Sequence, residues 1–162
     1  MAVTVANAAR RNRPSLVGAT AAGAPIFISF ALTPTAAWAT ADQYKFCRQP
    51  KQSLPVDLVI DWPDMDSGAA LVYDVGLYED DTLTDTTVGT VVSTNCFIAA
   101  STAARAASTR ERMANALQAA VAAAKAAVNT DRIVVATATT GGAGTGTVIT
   151  GYFICRPKSY DD

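Results

Sequence analysis

The sequence contains no histidine among its 162 residues. Without histidine it cannot form a Ser-His-Asp or Cys-His nucleophile pair or an HExxH metal site, and it lacks the side chain that most readily moves protons near neutral pH. Most of the common catalytic arrangements are therefore excluded. We accordingly predict that the protein is not an enzyme and that it holds no cofactor.

Charged residues are also scarce, at 17% of the chain, and the formal net charge is −1. A nucleic-acid-binding domain usually carries a clear excess of positive charge, and a disordered chain is low in hydrophobic residues, whereas 50% of this chain is hydrophobic. No apolar run is long and unbroken enough for a membrane helix. These features predict one folded domain that binds neither nucleic acid nor membrane directly.

Cysteine is limited to three residues, Cys47, Cys96 and Cys155, which are far apart and form no CxxC pair. Neither a disulfide scaffold nor a zinc site is indicated by this spacing. Cys47 and Cys155 lie in strand-like runs, where a free thiol behaves as a small apolar side chain. This pattern suits a reducing compartment.

Short β-branched and aromatic runs separated by proline and glycine predict a mainly β body over residues 42–162. The short apolar run 26–32, ahead of this body, is also predicted to be a strand. The predicted strands of the body are 43–48, 56–62, 70–78, 88–92, 96–100, 132–138 and 147–155. In the third of these, Leu71, Tyr73, Val75 and Leu77 fall on one face, which we expect to be buried. The expected fold is a β-sandwich or jelly-roll-like domain.

One Ala-rich segment, at about residues 109–128, departs from this β texture. It lacks glycine and proline and repeats apolar residues with helical spacing, as at Met113, Leu117 and Val121. We predict a single helix that packs on the sheet of its own chain. A short coiled-coil seam between subunits is the alternative.

A Gly-rich segment, 141–146, separates the last two predicted strands. Phosphate-binding loops lead into a helix whose N-terminus holds the anion, but here a β-branched strand follows. The segment therefore predicts the turn of a hairpin, for which glycine supplies positive φ.

Asp61, Asp64 and Asp66 precede a Ser-Gly pair, an arrangement that can bind calcium weakly. The segment lacks the later glutamate of an EF-hand, which favours an ordinary solvated turn. Asp64 and Asp66 are also the residues on which a hydrolase interpretation would depend, although the chain has few aromatic residues to stack on a sugar.

The first part of the chain, residues 1–41, is rich in Ala, Thr, Gly and Pro and predicts an extended arm that a partner orders. Six basic residues and one acidic residue occur up to residue 51, whereas residues 57–85 contain nine acidic residues and no basic one. This asymmetry favours contacts with other copies or with a charged scaffold. The candidate contact residues are three basic and three apolar side chains: Arg10, Arg11, Arg13, Ile26, Phe27 and Phe30.

A second interpretation of the same region is a secretory leader, because arginines are followed by a mostly apolar stretch and by Ala37-Trp38-Ala39, which has small residues at 37 and 39. Proline and glycine interrupt that stretch, which weakens the similarity. On this alternative, the protein is an exported bacterial β-sandwich that binds a carbohydrate or a cell-surface partner after cleavage near Thr40.

The order of several short motifs along residues 42–155 resembles small head proteins of tailed bacteriophages, the capsid decoration or cement proteins. The motifs are Leu54-Pro55, Asp64 to Leu71, Asp74 to Leu77, Phe97 to Ser101, Asp131 to Val135 and Gly144 to Val148. The resemblance implies a β-sandwich, often trimeric, that binds the major capsid protein on the outer surface of the virion and clamps neighbouring capsomers. It implies no catalytic residue.

Overall fold

The computed structural model describes residues 3–5, 24–66, 68–79, 89–105, 109–113, 117–125, 131–144 and 147–158. Within these residues lie nine strands, a single turn of 3-10 helix at Ala103–Arg105 and one α-helix. The strands are β1 (Val3–Val5), β2 (Ile26–Leu32), β3 (Gln43–Gln49), β4 (Ser53–Trp62), β5 (Val72–Glu79), β6 (Val91–Ser101), β7 (Thr109–Arg112), β8 (Arg132–Thr140) and β9 (Ile149–Pro157), and the helix is α1 (Leu117–Lys125).

The strands form two sheets. Sheet A has the order β1-β3-β8-β5-β6 and sheet B has the order β2-β9-β4-β7. Neighbouring strands are antiparallel, except that β1 pairs with β3 in parallel. The prediction of a mainly β fold with one helix is confirmed.

Strand alternation places the apolar side chains between the two sheets. Leu71, Tyr73, Val75 and Leu77 are all fully buried, which confirms the face predicted from the sequence. The sheets meet through aromatic contacts, including Phe30 of sheet B stacked on Phe46 of sheet A with ring centroids 4.8 Å apart. Burying such rings supplies much of the hydrophobic free energy of a small sandwich.

Three aromatic rings surround Trp38, which lies between β2 and β3 and is 1% exposed. Its ring centroid is 4.5 Å from that of Tyr44, 5.4 Å from Tyr73 and 5.8 Å from Trp62. Its Nε1–H donates to the carbonyl oxygen of Asp42 at 3.0 Å. Trp38 therefore joins the core and has its polar atom satisfied.

The region expected to be an arm contributes to the body. Residues 26–32 form β2, all seven of which pair with β9, and their burial alternates strictly along the strand. The prediction that the run 26–32 is a strand is confirmed, and its alternating IFISFAL sequence provides one apolar face for the core of its own chain. Val3–Val5 pairs with β3, and residues 6–23 lie outside the described part of the chain.

The helix is shorter than expected. Residues 109–112 form strand β7 instead of a first helical turn, and they pair with β4. Pairing with an existing sheet outweighs the modest helix propensity of the TRER sequence. The described helix covers Leu117–Lys125, buries Ala120 and Ala124, and packs against β4 and β6, so the expectation that it packs on its own chain is confirmed.

The Gly-rich segment is not the turn of a hairpin, because β8 belongs to sheet A and β9 to sheet B. The connection crosses between the sheets and passes close to other backbone. Gly142 donates its N–H to Trp38 O at 2.8 Å, and Gly144 donates to Met65 O at 3.2 Å. A Cβ atom at Gly142 would lie 2.9 Å from Met65 O, so close approach is the reason for glycine there.

The three cysteines are free and buried, as the sequence suggested. Burial raises the pKa of the Cys155 thiol to about 11, which keeps it protonated and unreactive at neutral pH. In the described residues, no helix has the length and apolar character needed to cross a membrane.

Candidate partner-binding surface

The outer face of sheet B is made by the side chains that alternate with the core residues of four strands, of which Asp57 and Val59 are themselves buried beneath their neighbours. The register aligns these side chains in cross-strand rows. We call it the sheet B outer face; its members are Phe27, Ser29, Ala31, Asp57, Val59, Asp61, Arg110, Arg112, Thr150, Tyr152 and Ile154.

Two ion pairs occupy the β4–β7 side of this face. Arg110 donates from Nε to Asp61 Oδ1 at 2.6 Å and from Nη2 to Asp61 Oδ2 at 3.0 Å. Arg112 contacts Asp57 in the same way, with Nη2 2.8 Å from Oδ2. The hydrogen bond from Arg110 lowers the pKa of Asp61 below its ordinary value. Both arginine side chains remain more than 70% exposed, so a partner can reach them.

The opposite end of the face is apolar. Phe27 is 70% exposed and lies across from Ile154, which in turn lies across from Asp57 at a bulge in β4. Val56, within that bulge, is 37% exposed. An exposed aromatic ring beside aliphatic side chains is typical of the apolar part of a protein interface.

The six contact residues predicted from the sequence have different positions. Ile26 and Phe30 point into the core and are 8% and 4% exposed, so neither can anchor a neighbour while the strand is in place. Phe27, between them, points outward because successive strand residues face opposite sides. Arg10, Arg11 and Arg13 lie outside the described residues.

The acidic residues considered for calcium do not converge. Asp61 pairs with Arg110, and Asp64 accepts the backbone N–H of Asp66 at 3.1 Å. The carboxylate of Asp66 is buried and accepts four backbone N–H groups, those of Gly68, Ala70, Leu71 and Ala143. These hydrogen bonds lower the pKa of Asp66 to about 2, and the bond from the Leu71 N–H makes the largest contribution to this shift. Asp66 thus stabilises a turn by binding its backbone N–H groups. The described residues contain no group of three potential metal ligands.

A polar cluster centred on Glu111 was missed because the sequence analysis placed this residue in the helix. Its carboxylate accepts hydrogen bonds from Trp62 Nε1, the Tyr73 hydroxyl and the Ser101 hydroxyl. Burial and the neighbouring Glu111 charge raise the pKa of Tyr73 above its ordinary range. The alternation in TRER, with arginines outward and glutamate inward, was the available signal. The cluster links four strands, β4, β5, β6 and β7.

No protein-family model matches this sequence, and no curated protein matches it significantly. Two chains of solved structures share its fold. A chain in the capsid of Ralstonia phage GP4 superposes with a TM-score of 0.71 and 22% identity, over 97% of this chain and 99% of that one. A chain in the capsid asymmetric unit of cyanophage Pam1 gives 0.60 and 15%, over 92% and 95%. At these identities the likeness shows the fold: a two-sheet β fold that also occurs in phage capsids.

Proposed function

We propose that the protein is a structural component of a phage virion, without catalytic activity. The observation that carries this proposal is the extent of the likeness to the Ralstonia phage GP4 capsid chain, which covers nearly all of both chains. The two chains are therefore of nearly equal length. A second phage capsid chain with the same fold supports the same conclusion.

Within the virion, we propose the role of a decoration protein that binds the major capsid protein on the outer surface of the head. The motif order in residues 42–155, which resembles decoration proteins, supports this more specific role. The sheet B outer face supplies a suitable surface, since it combines an apolar end at Phe27 and Ile154 with two exposed arginines. Such a mixed surface can displace water at its apolar end and form ion pairs at the other.

Attachment by a homotrimer explains how modest interfaces can hold the protein on a shell. Once one subunit is bound, the others are held near their own sites at high effective concentration, so the assembly dissociates far more slowly than a single copy. A trimer that contacts several capsid subunits would clamp neighbouring capsomers without covalent chemistry. Arg10, Arg11 and Arg13 add a second contact in this proposal, because guanidinium groups pair well with acidic surfaces.

The alternative of a cleaved leader is less consistent with the core. Cleavage near Thr40 would remove β2 and Trp38 from the folded body. Phe46 would lose the ring stacked on it, and Tyr44 and Tyr73 would lose contact with Trp38. The hydrolase alternative is weakened by Asp66, whose carboxylate is occupied by backbone N–H groups.

The proposal is tested by mixing the purified protein with shells that lack it and sedimenting the shells. We expect the wild-type protein to sediment with the shells. Tyr152→Asp changes the centre of the sheet B outer face and should bind about tenfold less, because residues at the centre of an interface contribute most of its binding free energy. Val91→Asp is the matched control, since Val91 is 51% exposed and lies on the edge of sheet A.

Thermal unfolding of both variants checks that each is folded. Wild-type protein that stays in the supernatant at every concentration would refute shell binding. Equal loss of binding by both variants would refute the assignment to sheet B. Sedimentation velocity of the free protein tests the trimer against a mass of 16.8 kDa for one chain.

A further inference from the structure

Strand β2 forms one edge of sheet B, and within the described residues no strand pairs with its other side. It is seven residues long, pairs with β9 through an unbroken register, and contains no charged residue and no proline. Its outer side therefore presents a regular row of main-chain N–H and C=O groups. Such a row is a template for another strand.

The other described edges differ from β2 in ways that discourage further pairing. Strand β7 has four residues, of which three are charged. Strand β6 shifts register against β5 at three places, and strand β1 has only three residues. Short, charged or irregular edges are the usual protection against unwanted association, and β2 has none of these features.

We propose that β2 pairs antiparallel with β2 of a second copy, around a two-fold axis at Ser29. The two B sheets then form one continuous eight-stranded sheet. The inference goes beyond the proposed function, since it concerns a contact between copies and requires no shell.

The sequence of β2 is self-complementary in this arrangement. Ser29 faces Ser29 of the other copy, and Phe27, the largest outward side chain, faces Ala31, the smallest apolar one. On the inward side, Ile26 faces Leu32 and Ile28 faces Phe30. No like charges meet, because β2 contains no charged residue. All seven residues are paired, so about six to eight main-chain hydrogen bonds can form. Registers shifted by two residues leave strand ends unpaired and place Phe27 against Ser29 or beyond the pairing.

A single strand pair is small compared with the roughly 1,000 Å² of a stable interface. The contact is therefore weak in dilute solution and becomes populated where copies are held close together. On a shell, it would join neighbouring trimers, because a two-fold contact can link units that have three-fold symmetry.

A cross-linking experiment on the free protein tests the pairing. In the variant Ser29→Cys, two thiols meet at the axis, and a bis-maleimide with a span well below about 13 Å, the length of four strand residues, can join them. The native cysteines are buried and should not react. Thr150→Cys is the matched control, since Thr150 is exposed on the same face but one strand away from the edge.

We expect Ser29→Cys to give about tenfold more linked dimer than Thr150→Cys at the same concentration, in proportion to the local concentration of the two thiols. Phe27→Cys and Ala31→Cys test the register, because each should link poorly alone and well when the two variants are mixed. Dimer from Ser29→Cys no greater than from Thr150→Cys would overturn the proposal. Linking at Ser29 without the mixed Phe27–Ala31 product would overturn the antiparallel register. Neither result depends on shell binding, which is measured separately by sedimentation.

Discussion

The carboxylate of Glu111 accepts the indole N–H of Trp62 at 2.9 Å, across 49 positions of the chain. The same carboxylate accepts the hydroxyl groups of Tyr73 and Ser101, so one side chain from β7 satisfies donors from β4, β5 and β6. Trp62 and Tyr73 are fully buried, and their polar atoms have no access to bulk water at that point. Glu111 therefore ties β7, which pairs with β4 in sheet B, to β5 and β6 of sheet A.

Replacing Glu111 should lower the free energy of unfolding more than replacing other residues of the short edge strand β7. We expect Glu111→Ala to reduce the free energy of unfolding by about 1–3 kcal/mol, because the buried donors lose their acceptor. Arg110→Ala is the control, since its ion pair with Asp61 is exposed and should contribute little to stability. Urea unfolding measures both, and equal losses in the two variants would contradict the role given to Glu111.

Acid should weaken the turn around Asp66. The pKa of this carboxyl is lowered from 3.8 to about 2 in the folded protein, so the folded state binds fewer protons than the unfolded state between these values. The resulting stabilisation is complete above about pH 4 and is lost as the pH falls towards 2.

The comparison with Asp66→Asn isolates this contribution from those of the other carboxyl groups. We expect the variant to be less stable at neutral pH and to lose less stability between pH 4 and pH 2, the interval that spans the unfolded and folded pKa values of Asp66. Urea unfolding at a series of pH values provides the measurement. Parallel stability curves for the two proteins over this interval would show that the N–H bonds to Asp66 do not act as described.

Trp38 should be essential to the core despite its place in a segment that reads as a flexible arm. We expect Trp38→Ala to cost about 3–5 kcal/mol, because it opens a cavity among three other aromatic rings. Phe27→Ala, a change of a ring that is 70% exposed, should alter stability by less than about 0.5 kcal/mol. A chain that starts at Thr40 should fail to fold; a native-like melting transition for it would revive the interpretation of residues 10–39 as a leader.

The Gly-rich connection should tolerate no side chain at Gly142. A methyl group there would meet Met65 O at 2.9 Å, and we expect Gly142→Ala to destabilise the protein by about 1–3 kcal/mol.

Inorganic phosphate should leave the melting temperature unchanged, since the N–H groups of residues 141–144 donate within the protein. A melting temperature that rises with phosphate concentration would favour the anion-binding interpretation instead.

The sequence identified most strands but not their partners. The runs at 43–48 and 132–138 were located within one or two residues of β3 and β8, and the buried side of β5 was predicted correctly. The hairpin prediction for β8 and β9 was wrong, because nearness in sequence does not decide whether two strands share a sheet. Glycine marks a sharp connection in either case.

The candidate surface was less accessible to sequence reasoning than the core. Phe27 was identified, but together with Ile26 and Phe30, because a short apolar run does not by itself reveal which residues face a partner. Asp57, Arg112 and Tyr152 were not identified at all. They come from three strands and form one surface only because β7, β4 and β9 lie side by side.

By itself, the sequence determined the mainly β class, the inward side of β5 and the lack of histidine-based chemistry, since each depends on residue type or on the two-residue period of a strand. Only the tertiary structure decided that residues 26–32 and 109–112 belong to sheet B, that Glu111 faces inward and that β2 is an edge strand among the described strands of that sheet. These features depend on strand pairings such as Ile26 with Cys155, between residues distant in the chain, and the free energy of such pairings is not encoded in either segment alone.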